Sequence, residues 1–273
     1  MTTPPQHTPI VLASSGGKDS VLALAALRAA GYDVRALLST FTPDGLLVMH
    51  RVPRSLVASQ AASLGLPLIE VQLPDRPSNA AYEARMTEVL APLVARGIRH
   101  IAFGDLFLEE IRSYREVLLA RLGLTGVYPL WGRDTRALAH SFVGAGFHAI
   151  AVCVDIKHLD ASFAGRPLDT EFFDELPPKV DPCGENGEFH SFVYDGPGFA
   201  FPVPHVIAPT EQRTQFAYAL LEPGEGEACA QCGALFTCGA MRHAPRCWCM
   251  DEPRHAIDPS IATCLCPRCL RSR

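Results

Sequence analysis

This chain has no apolar run near the ~18–20 residues that a membrane-spanning helix requires. Its opening stretch, Met1 to Pro9, lacks the apolar core of a signal peptide; it is polar and proline-rich and reads as a disordered tail (1–9), so a cytoplasmic protein is expected. There is no excess of positive charge: 24 Lys and Arg stand against 29 Asp and Glu, a net −5. That balance argues against a broad nucleic-acid-binding surface, which needs clustered cations. The G-x-x-x-x-G-K-[ST] spacing of a Walker A loop is missing as well. Cysteine is nearly absent from the first 228 residues, which hold only Cys153 and Cys183; the other eight fall between Cys229 and Cys269.

So abrupt a change of composition marks a domain boundary. With 48% apolar residues the chain can build a globular core, and 273 residues suit one domain of about 200 residues plus a small module. A linker is expected over 206–228, where Leu221-Glu222-Pro223-Gly224-Glu225-Gly226-Glu227 is acidic and rich in turn formers. An α/β domain over 10–205 and a cysteine-rich module over 229–273 remain.

The most informative stretch is Ser15-Gly16-Gly17-Lys18-Asp19-Ser20, directly after the apolar run Ile10-Val11-Leu12-Ala13 and before Val21 to Leu27. It reads as a strand entering a glycine-rich turn that opens a helix. Glycines let the backbone approach a phosphate, and the helix N-terminus presents amides and a positive dipole end. Ser15 and Ser20 add hydroxyls and Lys18 a charge, while Asp19 would help to hold magnesium or orient the loop.

Strand and helix patterns then alternate. Val34–Leu38, Pro67–Val71, Ile98–Phe103 and Ala149–Val154 read as further strands, with helices over Val52–Leu64 and Ala80–Arg96 between them. Parallel pairing with right-handed crossovers follows, giving a doubly wound Rossmann-like sheet with its ligand at the strands' carboxyl ends. Gly104-Asp105 and Asp155 each follow a strand, so both aspartates are candidates for the cleft or, equally, for a local cap. Arg112 and Arg115 suit a phosphate or acidic substrate, or a solvated helix face. Gly144-Ala145-Gly146-Phe147-His148-Ala149 imitates a dinucleotide fingerprint but precedes a strand, and is set aside.

Asp181-Pro182-Cys183-Gly184-Glu185-Asn186-Gly187-Glu188-Phe189-His190-Ser191 is a second dense motif. Its glycines allow a tight path that could present Glu185, Glu188 and His190 to one pocket, the carboxylates for magnesium or an incoming amine and His190 as acid or base. An exposed polar hairpin is the plainer alternative.

The loop Ser15–Ser20 resembles the SGGxDS pyrophosphate loop of ATP pyrophosphatases. With Phe103-Gly104-Asp105, Leu108 to Arg112, Tyr114-Arg115, Tyr128-Pro129-Leu130-Trp131, Val154-Asp155 and Gly184 to His190, roughly residues 10–205 resemble the diphthine–ammonia ligase family. That resemblance implies an adenine nucleotide alpha hydrolase-like fold and an enzyme using ATP and Mg2+ to adenylate a carboxylate. Ammonia then attacks, giving an amide, AMP and pyrophosphate. Ser15, Gly16, Gly17, Lys18, Asp19, Ser20, Gly104 and Asp105 would serve the nucleotide, and Glu185, Glu188 and His190 the acceptor pocket. Some members act on a modified histidine of a translation factor; the acceptor here, the ammonia source and the oligomeric state stay open. A tRNA sulfurtransferase, with Cys183 or Cys153 as its thiol, and a non-catalytic nucleotide-sensing scaffold are the alternatives.

Cys229, Cys232, Cys238, Cys247, Cys249, Cys264, Cys266 and Cys269 place eight thiols in a compartment expected to be reducing, where zinc is favoured over disulfides or an iron–sulfur cluster. The two C-x-x-C pairs, 229/232 and 266/269, are natural partners for one four-cysteine site, leaving 238, 247, 249 and 264 for a second. The segment resembles the small CWC domain. Its six arginines face three acids, but eight thiolates on two zinc ions would cancel that excess and weaken a nucleic-acid role.

Overall fold

The computed structural model describes residues 7–252 and 264–273. Residues 1–6 of the expected tail lie outside them, whereas Pro9 already belongs to the first strand.

Five strands form a parallel sheet: β1 (Pro9–Ala13), β2 (Asp33–Phe41), β3 (Leu68–Gln72), β4 (His100–Ala102) and β5 (Thr125–Val127), in the order β3-β2-β1-β4-β5. Their apolar cores are covered on both faces, as a parallel sheet requires. Helices α1 (Lys18–Ala29) and α2 (Arg54–Ser63) cover one face through Leu24, Leu27 and Ala61. Helices α3 (Asn79–Ala95) and α4 (Glu109–Arg121) cover the other through Met86, Leu90, Leu118 and Leu119. The winding reverses between β1 and β4, which pair directly with Val11 opposite Ile101. A doubly wound sheet opens a crevice at such a switch point, beyond the strands' carboxyl ends. The turn after β1 and the segment Phe103-Gly104-Asp105 after β4 both lead into it.

Helix α5 (Thr135–Gly144), capped by Asp134, leads to a second, antiparallel sheet. This sheet contains β6 (His148–Asp155), a short helix α6 (Thr170–Asp174) before β7 (Phe189–Asp195), then β8 (His205–Arg213) and β9 (Phe216–Pro223), in the order β7-β6-β9-β8. Two expectations are corrected here. The run Ala149–Val154 is not a strand of the parallel sheet but the centre of this one, flanked antiparallel by β7 and β9; the fifth parallel strand is Thr125–Val127. The expected linker over 206–228 is largely the β8–β9 hairpin, joined to β6 with Ala217 opposite Val154.

The cysteine-rich module follows with almost no spacer. Strands β10 (Glu227–Ala228) and β11 (Leu235–Phe236) form a small hairpin, and α7 (Pro267–Arg271) closes it. Its core holds Phe236, Leu265 and five cysteines together with Ala62 of α2 and Phe201, so the module is packed onto the α/β body. Ser59 Oγ of α2 donates to the Leu235 carbonyl at 2.5 Å.

Candidate active site at the carboxyl edge of the parallel sheet

The loop between β1 and α1 is held from three directions. Ser15 N donates to Ser20 Oγ (3.0 Å) and Gly16 N to Ser14 Oγ (3.2 Å), while Ser39 of β2 anchors the Ser14 carbonyl (2.7 Å). From the antiparallel sheet, Val193 N donates to the Gly16 carbonyl (2.9 Å), and Ser191 Oγ accepts from Lys18 N (3.1 Å). From α2, the buried Gln60 amide donates to the carbonyls of Gly16 (2.9 Å) and Val193 (2.6 Å), tying loop, helix and β7 together. The amides of Asp19 and Ser20, which open α1, have no acceptor among the described residues. They are the donors an anion at a helix N-terminus takes.

Glycine is required here on steric grounds. Gly16 sits at φ +68, and a Cβ there would meet Gln60 Oε1 at 3.2 Å. A Cβ on Gly17 would lie 2.9 Å from the Ser191 carbonyl oxygen, and one on Gly104 would lie 3.0 Å from the Asp19 carbonyl. Gly104 thus lets the end of β4 close against the first turn of α1.

A cavity of about 320 Å3 opens over this loop, between Ser15, Asp19 and Ser20 on one side and Gly104, Asp105 and Arg115 on another; Glu185 and His190 reach it from the antiparallel half. A smaller one of about 140 Å3 adjoins it, with Lys18, His50 and Gly184 in its wall and Ser15, Asp19, Glu185 and His190 shared. The two dense motifs of the sequence therefore meet across one cleft.

Lys18 is almost fully buried, paired with Asp19 and donating to the Cys183 carbonyl at 3.2 Å. Burial works against its charge, but Asp19 and Cys183 outweigh that and hold the ammonium above its ordinary pKa. Asp105 reaches the cavity and pairs with Arg115, whose guanidinium stacks on Phe103 (4.5 Å to the ring centre). Glu185 accepts from the Leu106 amide at 2.8 Å. Burial, with Asp19 and Asp105 adding to it, pushes the Glu185 carboxyl up to about 7.

His190 packs against His50 with ring centres 4.6 Å apart and planes tilted by 38°, and its Nε2 is buried without a hydrogen-bond partner among the described residues. Burial and the neighbouring His190 push His50 down to about 3, and burial pushes His190 down to about 4. Both rings are neutral at physiological pH. An unfolded histidine takes up its proton below about 6.5, so between that pH and about 4 the unfolded chain binds more protons than the folded one and stability falls as pH drops. The expected loss from the pair is roughly 2 kcal/mol on going from pH 7 to about pH 5.5. Thermal melts across that range check it: His50→Gln should show a shallower decline than wild type, and parallel declines would contradict the pairing.

Other expected residues sit elsewhere. Glu188 is buried away from the cleft, its oxygens accepting from the amides of Asp181 and Asn186 (both 3.0 Å) and from the Asn186 side chain; it shapes the 181–190 turn. Asp155 caps its own turn, accepting from Lys157 N at 3.0 Å, and lines neither cavity. Arg112 lies over the Tyr128 and Trp131 rings (4.7 and 4.6 Å to their centres) and pairs with Glu116 at 2.8 Å. Cys183 and Cys153 are buried thiols, both pushed up to about 12 by that burial, and Cys183 donates to the Thr135 carbonyl; neither is poised as a thiolate. His50 and Gln60 are site residues that the motifs did not indicate, each brought to the loop from thirty or more residues along the chain.

Among the described residues, no three carboxylates or histidines of the cleft converge closely enough to hold a metal ion between them. The cysteines behave differently. The sulfurs of Cys229, Cys232, Cys266 and Cys269 all lie within 4.8 Å of one another. The Cys232–Cys266 separation, 3.7 Å, matches the edge of a tetrahedron with metal–sulfur bonds of about 2.3 Å. Burial raises the Cys229 thiol, but the amides of Cys266, Cys232 and Gln231 outweigh it and bring it down to about 7, toward the thiolate a metal takes. The donor set fits a tetrahedral metal. Cys249 neighbours Cys247, and Cys264 neighbours Cys238, but these four do not close on one centre of that spacing among the described residues.

A Rossmann-like sheet with a glycine-rich anion loop at its switch point defines a nucleotide-binding α/β protein. Residues 8–126 match the diphthamide synthase N-terminal domain and residues 134–218 the diphthamide synthase C-terminal domain, and the chain belongs to that family. The two matches coincide with the two sheets, and the β8–β9 hairpin falls mostly within the second. Relatives include a diphthine–ammonia ligase of Schizosaccharomyces pombe, 27% identical over 206 residues, which are 68% of this chain but 34% of that protein. Diphthine–ammonia ligases of Danio rerio (27% identical, 68% of this chain, 81% of the relative) and Bos taurus (26%, 68% and 78%) are similar in the same way. This chain thus corresponds to about a third of the fission-yeast relative, and the cysteine-rich module lies outside both family matches.

Proposed function

We propose that this protein is an ATP-dependent amide-forming ligase. It would adenylate an acceptor carboxylate with release of pyrophosphate, and ammonia would then displace AMP. The observation that carries this reading is the meeting of the two motifs across one cleft, with the anion loop on one wall and Glu185 and His190 on the other. The relatives' names give diphthine and ammonia as the molecules those proteins join.

In this reading the free amides of Asp19 and Ser20 and the serine hydroxyls hold the pyrophosphate end of ATP. Lys18, kept charged by Asp19, opposes the negative charge that grows there during adenylation. Fixed dipoles and charges of this kind are usually the largest catalytic contribution. Magnesium bound with the phosphates would neutralise part of the same charge. The module's four-cysteine cluster would hold zinc as a structural ion, because all four positions are taken by protein thiolates. A sulfurtransferase role finds no reactive thiol near the loop.

The test is AMP and pyrophosphate release from ATP and magnesium with ammonium and a diphthine-bearing translation factor. Release is expected to fall by about a hundredfold in Asp19→Ala, which strips the buried Lys18 of its counter-charge. Tight ATP binding without AMP under any condition would instead favour the sensing scaffold.

A further inference from the structure

The smaller cavity shares the loop residues Ser15 and Asp19 with the nucleotide cavity but is also lined by His50, Gly184 and Gly187, which the larger one does not touch. At about 140 Å3 it is less than half the size of the nucleotide cavity of about 320 Å3, and Ser15, Asp19, Glu185 and His190 line both. The carboxylates of this region are not equivalent. Asp19 is neutralised by Lys18, Asp105 by Arg115, and Glu188 is taken up by backbone amides. Glu185 pairs with no cation among the described residues, and its Oε1 is fixed by the Leu106 amide. His190, which lines the same cavity, has a buried Nε2 with no partner among the described residues. A small cavity with one uncompensated carboxylate and one unfilled neutral acceptor suits a small cation that donates several hydrogen bonds.

Resting on the ligase reading above, we infer that this smaller cavity is the ammonium-binding site, with Glu185 as the base that frees the nucleophile and His190 as the acceptor that orients it. Ammonium has no lone pair, so it must lose a proton before it can attack. Glu185 takes that proton; the nitrogen lone pair forms the new bond to the acyl carbon, and the carbon–oxygen bond to AMP breaks with its electrons staying on the phosphate. The nitrogen then sheds a second proton to solvent, leaving a neutral amide. The adjacent rings of His50 and His190, both uncharged, add no repulsion toward an incoming cation, and Asp19 offsets the nearby Lys18. A Glu185 carboxyl raised to about 7 is matched to accepting and releasing a proton near neutral pH.

The experiment separates the two half-reactions in Glu185→Gln, whose side-chain oxygen can still accept from Leu106. Acceptor-dependent exchange of pyrophosphate into ATP, which needs only adenylation, should fall far less than amide formation does. Amide formation from ammonium should drop by about a hundredfold or more. Hydroxylamine, uncharged at neutral pH, needs no base to become nucleophilic and should restore product formation as the hydroxamate. A His190→Ala variant should raise the KM for ammonium about tenfold, a larger change than it makes in the KM for ATP. The inference is overturned if Glu185→Gln loses exchange as severely as amide formation, or if its use of ammonium is unchanged. Wild-type protein showing no acceptor-dependent exchange at all removes the ligase reading itself, and this inference with it.

Discussion

Gly17→Ala is expected to weaken ATP binding by roughly ten- to a hundredfold, the equivalent of about 1–3 kcal/mol. The added methyl would meet the Ser191 carbonyl oxygen at 2.9 Å and Ser15 Oγ at 3.3 Å. Neither wall can yield easily, because Ser191 also holds the Lys18 amide, and Val193 and Gln60 hold the Gly16 carbonyl. The loop would have to move away from β7 and carry the α1 amides with it. Gly144→Ala is the control: nothing lies within 4 Å of its added Cβ, it sits at the end of α5, and it should leave ATP affinity alone while stabilising the helix by about 0.5–1 kcal/mol. Calorimetric titration of both variants with ATP decides. Wild-type affinity in Gly17→Ala would show that the loop is not where the nucleotide's phosphates sit.

Removing metal from the module should have the second large effect, and it should reach the active site. Cys229, Cys238, Cys247, Cys266 and Cys269 belong to the same buried core as Ala62, so loss of a metal held by the four-cysteine cluster would loosen both the module and the face of α2 packed on it. On α2, Ser59 is bonded to Leu235 of the module and the adjacent Gln60 to the Gly16 carbonyl. One helical step therefore connects the cysteine cluster to the anion loop. Structural zinc contributes on the order of 10 kcal/mol to the folding of isolated zinc modules, so chelation should lower Tm by on the order of 10 °C or more here. It should also raise the Kd for ATP several-fold. Melting and ATP titration of metal-replete and chelator-treated protein, with bound metal counted by elemental analysis, check both effects. Unchanged Tm and Kd after complete metal loss would contradict the coupling.

Much of the parallel half was readable from the chain. The apolar runs of β1 to β4 are short, punctuated by glycine and proline, and spaced by helical periodicity. The loop Ser15–Ser20 carries its own anion-site logic of glycines, hydroxyls and a helix start. Three features were not readable, for separate reasons. Strand β5 is three residues long with a central glycine, too little for any period to register. The run His148–Asp155 is buried along nearly its whole length, and such a run does not reveal whether its partners lie parallel or antiparallel. Strand β8 is an edge strand with most residues exposed, so its composition imitates a linker; the alternation of Ala217, Ala219 and Leu221 in β9 was the signal that a strand lay there.

The site was legible in its motifs and not in its partners. Gly184 to His190 reaches the cleft, but the two glutamates diverge, Glu185 toward the cavity and Glu188 into the turn. Spacing alone cannot separate them, because the turn itself requires a buried acceptor for its amides. His50 and Gln60 enter through long-range packing, and a lone histidine in a loop or glutamine in a helix carries no local sign of that. The cysteine pairing was different: two C-x-x-C knuckles have so few ways to converge that 229, 232, 266 and 269 meet as their spacing suggests.

The most direct test of the ligase account is to follow isotopically labelled ammonium in a reaction containing ATP, magnesium and a diphthine-bearing translation factor. The account predicts label in a new amide on the acceptor, with one AMP and one pyrophosphate formed per amide. ADP and phosphate as the nucleotide products, or AMP formed without label entering the acceptor, would contradict it.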